Sequence, residues 1–247
     1  GVDVLSITDH DTVQAYQSFD FHNYQNKIQL IPGIEFSTQW NGRGIHIVGL
    51  NISPTHDSIC EGSNKQLLAR KTRAEEIAQK LEKQGLKNAL EGAQQYSEHG
   101  ELGRPHFARY MVEKGFCKNF EQAFKKYLGS GKPCDIKNTW ANIEEVISWI
   151  TESGGIAVLA HPHKYKLTRT KLVVLLETFK ASGGRAVEVL SGAEDRNITA
   201  MLKDLIQQQG LYASMGSDFH HTQSASWCEL GMHKKLPANC QPVWELF

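Results

Sequence analysis

The sequence predicts an α/β protein, a mainly parallel sheet or barrel that carries a helical insertion. Three observations predict it. Short apolar runs bounded by Gly and Pro recur along the chain. Amphipathic helical patterns separate most of them. Several runs end on His, Asp or Glu.

Taken in order, Val2–Ile7 leads into Thr8-Asp9-His10-Asp11, and Ile28–Pro32 leads into Gly33-Ile34-Glu35. Ile45–Leu50 contains His46, and Ile156–Ala160 ends in His161-Pro162-His163. Ala186–Leu190 ends in Ser191-Gly192, and Leu211–Met215 in Gly216-Ser217-Asp218-Phe219-His220. These read as buried strands. Glu144–Thr151 places Val146, Ile147 and Ile150 on one helical face, and Lys171–Phe179 does the same with Leu172, Leu175, Leu176 and Phe179. Ile198–Gln209 is a third such helix, with Gly210 as its stop signal. From Ser63 to about Asn138 no strand pattern occurs. Lys65–Lys83, Phe107–Lys114 and Phe120–Leu128 read as helices there. The expected organisation is an α/β domain of residues 1–62 and 139–247, with residues 63–138 inserted.

Lys+Arg and Asp+Glu both number 27, so the formal net charge is zero, which argues against broad electrostatic capture of nucleic acid. No stretch approaches ~20 consecutive apolar residues, so no membrane span is expected. The five cysteines are widely spaced without a CxxC. A disulfide framework or thiolate zinc site is therefore not expected, and reduced thiols in a cytoplasmic protein are.

The 11 histidines are more informative. His10, Glu35, His46, His161, Asp218 and His220 sit at or just after expected strand ends. C-terminal strand ends of a parallel barrel face one pocket, so distant residues would converge there. Four imidazoles and two carboxylates suit a divalent ion of the zinc, manganese or iron kind. Taken singly, each has an ordinary reading. Asp9 and Asp11 could cap a turn, His46 could be a satisfied core histidine, and Glu35 could be a surface carboxylate. His22, His56, His99, His163, His221 and His233 have no comparable setting, although His163 follows the strand that ends at His161.

As a set, TDHD (Thr8–Asp11), PGIE (Pro32–Glu35), HIVGLNI (His46–Ile52), AHP around His161 and GSDFH (Gly216–His220) resemble the polymerase-and-histidinol-phosphatase (PHP) superfamily. The nearer likeness is to its TrpH-like branch of 5′–3′ exoribonucleases and 3′,5′-nucleoside bisphosphate phosphatases. Arg70–Arg73, Gly103–Arg109 and Phe124–Leu128 also match. The resemblance implies a distorted seven-stranded β/α barrel with two or three divalent metals, often manganese, with zinc, iron or magnesium as alternatives. It implies His10, Glu35, His46, His161, Asp218 and His220 as ligands, chemistry by His10, His161 and His220, and Asp9 orienting His10. The branch opens on a His-x-His motif and a following Asp. Neither precedes Gly1, so the expectation is a truncated form of a complete enzyme, lacking the first strand and three ligands.

The expected chemistry is attack of metal-activated hydroxide on phosphorus. Arg70 and Arg73, at i and i+3, share a helix face, and Arg104-Pro105-His106 stands before a helix. The resemblance favours substrate binding by Arg70, Arg73, Arg104 and His106 over surface pairs with Glu75 or Glu76 and a helix-start signal. One phosphate of the substrate would meet the metals and another these basic residues. Tyr127, Tyr165 and Phe219 are candidates to stack a base, against ordinary packing. The expected substrate is short 5′-phosphorylated RNA or a 3′,5′-bisphosphate nucleotide, handled by a monomer. Two other readings compete: an amidohydrolase-like metalloenzyme, and a non-catalytic PHP module that has lost metal competence with its missing ligands.

Overall fold

The computed structural model describes residues 2–18, 28–97, 102–137, 140–192, 195–220, 230–231 and 235–247. In chain order its elements are β1 (Val4–Ile7), α1 (Gln14–Ser18), β2 (Gln29–Trp40), β3 (Arg43–Leu50), α2 (Asp57–Lys83), α3 (Ala89–Gln94), α4 (Arg104–Glu113), α5 (Phe120–Ala123), α6 (Ile143–Glu152), β4 (Ile156–Leu159), α7 (Arg169–Ala181), β5 (Ala186–Ser191), α8 (Arg196–Gln209) and β6 (Tyr212–Gly216). Two compact units form, Gly1–Ser63 with Ala141–Phe247, and Asn64–Trp140.

The first unit is built on one sheet with strands in chain order. Among the described residues it has six strands. β1 pairs parallel with β2, and β4, β5 and β6 run parallel. β3 is antiparallel to both β2 and β4, the departure from an otherwise parallel sheet. The cause is the Asn41-Gly42 turn, where both residues take positive φ (48° and 71°). That geometry closes a two-residue hairpin. β2 also runs straight through Pro32-Gly33, where a strand end was expected. Pro32 pairs with the last residue of β1, and β3 pairing begins only at Gly33, so the missing N–H interrupts no ladder.

Alternation along the strands separates two faces. Ile34 and Phe36, Ile45 and Ile47, Ala157 and Leu159, and Val187 and Val189 face the core formed with α6, α7 and α8. Val146, Ile147, Leu175, Phe179, Leu205 and Ile206 supply the helical side of that core. Val48, Leu50, Val158, Ala160 and Ala186 lie on the opposite face. By the same parity Glu35, His46 and Glu188 belong to that second face. A register shift between Glu188 and Leu190 then returns Leu190 to the helix side. Gly210 ends α8 in the left-handed conformation, as its stop signal implied.

The second unit is helical. Ile77, Leu81, Phe107, Met111, Ala123 and Leu128 form its core. α2 begins at Asp57, ahead of the expected Lys65. The expected helix over 120–128 is a short α-helix followed by a π-helical turn, Phe124–Leu128. Among the described residues no helix is long and apolar enough to cross a membrane. Cys60, Cys117, Cys134 and Cys240 are free thiols, and Cys228 lies outside the described residues.

At Gly33 both β1 and β3 come close to the β2 backbone. An added Cβ would collide with Ser6 Oγ, at 2.8 Å from Thr8 Cγ2 and 3.0 Å from the Gly49 carbonyl. Gly33→Ala is therefore expected to lower stability by about 1–3 kcal/mol, as overpacking does. Urea or thermal denaturation measures it.

Candidate metal centre

Each predicted ligand is held by backbone that follows from the sheet. Past the end of β1, His10 makes an isolated parallel bridge with Glu35. The Glu35 N–H donates to the Asp9 carbonyl, and the Asp11 N–H donates to the Glu35 carbonyl. Asp11 is fully buried, and its carboxylate accepts the Ser37 N–H at 2.6 Å. Below this stretch the Tyr16 hydroxyl donates to the Ile7 carbonyl and accepts the Ile7 and Gly33 N–H groups, which pins β1 to β2.

Glu35 stands mid-strand on β2, not at a strand end, and is buried. Three imidazoles surround its carboxylate. His46 Nδ1 lies 2.9 Å and His161 Nε2 3.0 Å from Oε1, and His10 Nδ1 lies 3.6 Å from Oε2. His46 reaches the cluster because β3 is antiparallel, which brings the beginning of that strand to the ends of its neighbours. His161 follows β4 with φ 27°, and Asp218 follows β6 with φ 53°. Both are non-glycine residues in the left-handed region, a strain of order 1 kcal/mol or more each that active sites commonly hold.

The structure thus brings together His10, Glu35 and His46, and also Glu35, His161 and Asp218, with donor atoms in each group within 4.8 Å of one another. Glu35 belongs to both groups. The His220 ring lies 5.7 Å from that of His10, and its Nδ1 lies 3.0 Å from the Asp218 carbonyl. Asp9 is exposed, and its backbone carbonyl accepts the Glu35 N–H. Lys164 Nζ pairs with Asp218. His163 is partly buried. Burial first, then the charges of Lys164 and His161, hold its pKa down at about 4. His22, His99, His221 and His233 lie outside the described residues.

Burial alone would raise the Glu35 carboxyl. Hydrogen bonds from His161 and His46 and the charges of His46 and His10 outweigh it and hold the group well below the usual carboxylate range. For His161, burial opposes the charged form, but Glu35, Glu188 and Asp218 outweigh it and raise the imidazole. His46 Nδ1 and His161 Nε2 are only 3.3 Å apart, so both cannot carry protons toward each other. His161 Nδ1 is buried with no hydrogen-bond partner among the described residues. Imidazoles and carboxylates converging in this way fit a divalent cation by donor type.

Two residues that support the centre were not among the expected ligands. Glu188, on β5, accepts the His161 N–H at 2.8 Å. Burial, chiefly, raises its pKa to about 7; His161 opposes the rise, and Glu35 and Asp218 add to it. A lone carboxylate inside the apolar run Ala186–Leu190 was the available signal, because a purely structural buried strand has no use for it. Tyr165 is buried and does not offer its ring for stacking. Its hydroxyl donates to the Ala160 carbonyl at 2.7 Å and accepts the His46 N–H at 2.9 Å.

In the second unit, α4 starts at Arg104, with Pro105 as its second residue. The Gly103 N–H donates to His106 Nδ1 at 2.9 Å, so this imidazole also caps the helix. Burial first, then Arg109 and Arg70, lower its pKa. Arg70 and Arg73 lie over the Trp140 ring at 5.3 and 5.5 Å, and Arg104 over Phe124 at 5.8 Å. Burial, with Arg104 and Arg70 nearby, lowers the Arg73 pKa to about 10. Arg73 Nε is buried without a partner among the described residues. Tyr127 packs on Phe116.

Tyr165→Phe removes the hydroxyl that joins β3 to the end of β4. The His46 N–H and Ala160 carbonyl then lose a partner, at a cost of about 1–3 kcal/mol. The expected result is lower thermal stability together with weaker retention of metal on dialysis. Unchanged values for both would remove Tyr165 from the support of the centre.

No family model matches the chain. It is 43% identical over 248 residues to 5′–3′ exoribonuclease Rnm of Escherichia coli (strain K12), covering 100% of this chain and 84% of that one. It is 35% identical over 245 residues to 3′,5′-nucleoside bisphosphate phosphatase of Chromobacterium violaceum, covering 98% and 85%. A solved Chromobacterium violaceum structure, described as an amidohydrolase with bound sulfate and no metal, superposes with a TM-score of 0.89 at 34% identity, covering 98% and 84%. With 35–43% identity over nearly the whole of this chain, it belongs to the family of 5′–3′ exoribonucleases and 3′,5′-nucleoside bisphosphate phosphatases.

Proposed function

We propose that the chain is a metal-dependent phosphoric ester hydrolase. Its substrates are short 5′-phosphorylated RNA, from which it releases the terminal nucleotide, and 3′,5′-bisphosphate nucleotides, and it acts as a cytoplasmic monomer. The observation that carries this reading is the buried Glu35 carboxylate shared by two donor groups, His10 with His46 and His161 with Asp218. The relatives named for these two activities support it.

His10, Glu35, His46, His161, Asp218 and His220 would hold two or three divalent ions, manganese first, with zinc, iron or magnesium as substitutes. Such ions supply Lewis acidity and a hydroxide at neutral pH. The chain's own groups do the rest. Glu35 stays charged and central. His161 is fixed by Glu188 through its N–H. His220, with Nδ1 at the Asp218 carbonyl, keeps Nε2 as its basic nitrogen, suited to ligation or to passing a proton toward the leaving oxygen. Asp9 fixes the backbone beside His10 and Glu35. In the inserted unit, Arg70, Arg73, Arg104 and His106 bind substrate phosphate. Crowded guanidiniums stacked on Trp140 and Phe124 are poised for an anion that relieves their repulsion.

The amidohydrolase reading shares the donors but asks nothing of that arginine cluster, and the sulfate described in the solved relative is a tetrahedral oxyanion like phosphate. A non-catalytic module would leave the converged donors without a task.

The deciding assay offers 5′-phosphorylated short RNA and 3′,5′-bisphosphate adenosine with manganese, and follows phosphate release and product length. Hydrolysis of neither by the complete protein would refute the proposal. Chelation is expected to abolish turnover and manganese to restore it. His161→Ala is expected to lose metal by elemental analysis and about a hundredfold or more in kcat, beyond what supporting groups around a metal usually cost. Arg73→Ala is expected to raise KM about tenfold, the effect of losing one charge-assisted contact, without loss of stability, since it removes one of three crowded cations.

A further inference from the structure

A second cationic feature lies in the first unit, away from the donors of the metal centre. Leu190, Arg196, Thr199, Ala200, Lys203, Lys235 and Pro237 line a cleft of about 270 Å³. Arg196, Thr199, Ala200 and Lys203 share one stripe of α8, at i, i+3, i+4 and i+7. Lys235 and Pro237 face them from the segment before the C-terminus, and Leu190 closes the floor from the end of β5. Among the described residues none of these three cations forms an ion pair. The N-cap carboxylate of Asp195 is committed to the Asn197 N–H at 2.7 Å. The first turn of α8 carries no acidic residue.

The place of this cleft links it to the reaction. Leu190 follows Glu188 by two residues of strand, about 7 Å. Glu188 in turn holds the His161 N–H. The next residue, Ser191, pairs with Gly216, two residues before Asp218. The bulge that turns Leu190 away from the metal-centre face therefore puts the cleft at the rim of the same strand ends. At ~30 Å³ per water the space equals about nine waters, enough for a phosphate and its sugar. A mononucleotide has no phosphate left to place there once its own are bound elsewhere, whereas a polynucleotide presents one at every residue.

We infer that the α8 cleft holds the phosphodiester backbone of RNA beyond the nucleotide being released. Arg196, Lys203 and Lys235 neutralise backbone phosphate, and Leu190, Ala200 and Pro237 carry the sugar. The inference rests on the proposed phosphoesterase function and adds the reason one centre would distinguish an RNA from a bisphosphate nucleotide.

The test uses the complete metal-loaded protein and an Arg196→Ala/Lys203→Ala variant, both changes lying on the solvent side of α8. Binding of a hydrolysis-resistant phosphorothioate oligoribonucleotide is followed by fluorescence anisotropy across a salt series. In parallel, KM is measured for RNA and for 3′,5′-bisphosphate adenosine. The variant is expected to bind RNA about tenfold more weakly, with the slope of log K against log salt reduced by about 1.4, at ~0.7 per lost phosphate contact. Its KM for the bisphosphate is expected to be unchanged. Equal RNA affinity and equal salt slope in the two proteins would overturn the inference, whatever the activity. An equal rise in KM for both substrates would also overturn it, since the cleft would then not separate them. Lys235→Ala, from the opposite wall, is expected to reduce the slope by about half as much. Failure of the parent protein to hydrolyse either substrate is a separate result and strikes the proposed function alone.

Discussion

A buried carboxylate must be paired or it will take up a proton. Glu35 meets that requirement with three imidazoles, and much of the first unit serves to bring them there. Tyr16 ties β1 to β2 so that His10 lies beside Glu35. Tyr165 ties the His46 N–H to the end of β4. Glu188 holds the His161 N–H, and Asp11 holds β2 just past Glu35. None of these four groups needs to touch a substrate. Each fixes a backbone atom whose displacement would separate the donors.

The strand positions were legible because buried strands write themselves as short apolar runs, and all six observed strands coincide with such runs. Direction was not read. The Asn41-Gly42 pair is among the strongest local hairpin signals, and it sits between two apolar runs that it joins antiparallel. That turn sets the direction of β3 and carries β2 through Glu35. Glu35 itself was identified, but as a strand-end residue, because Pro32-Gly33 resembles a stop. The lengths of β2 and α2 depend on neighbours that no local pattern records.

At the centre, the sequence identified the side chains that point inward and missed those that hold them. Imidazoles after apolar runs are conspicuous. A tyrosine that spends its hydroxyl on two backbone groups looks in sequence like any buried aromatic. Glu188 was the exception that could have been found, a charge in the middle of a strand otherwise fit only for the core. Net charge was the least informative quantity. A sum of zero conceals three crowded guanidiniums in one unit and a cluster of imidazoles and carboxylates in the other.

The Asn41-Gly42 hairpin also bears on how the centre assembles. Glu35 and His46 are 11 residues apart and joined by the tightest of turns, whereas His161 lies 126 residues from Glu35. Closing the short loop costs little chain entropy and is fast. Closing the long one waits on everything between. Two of the six donors, Glu35 and His46, are therefore together as soon as one hairpin forms, and His161 joins them only when β4 docks. A cation held by all of them records, in its affinity, that the whole strand order has been completed.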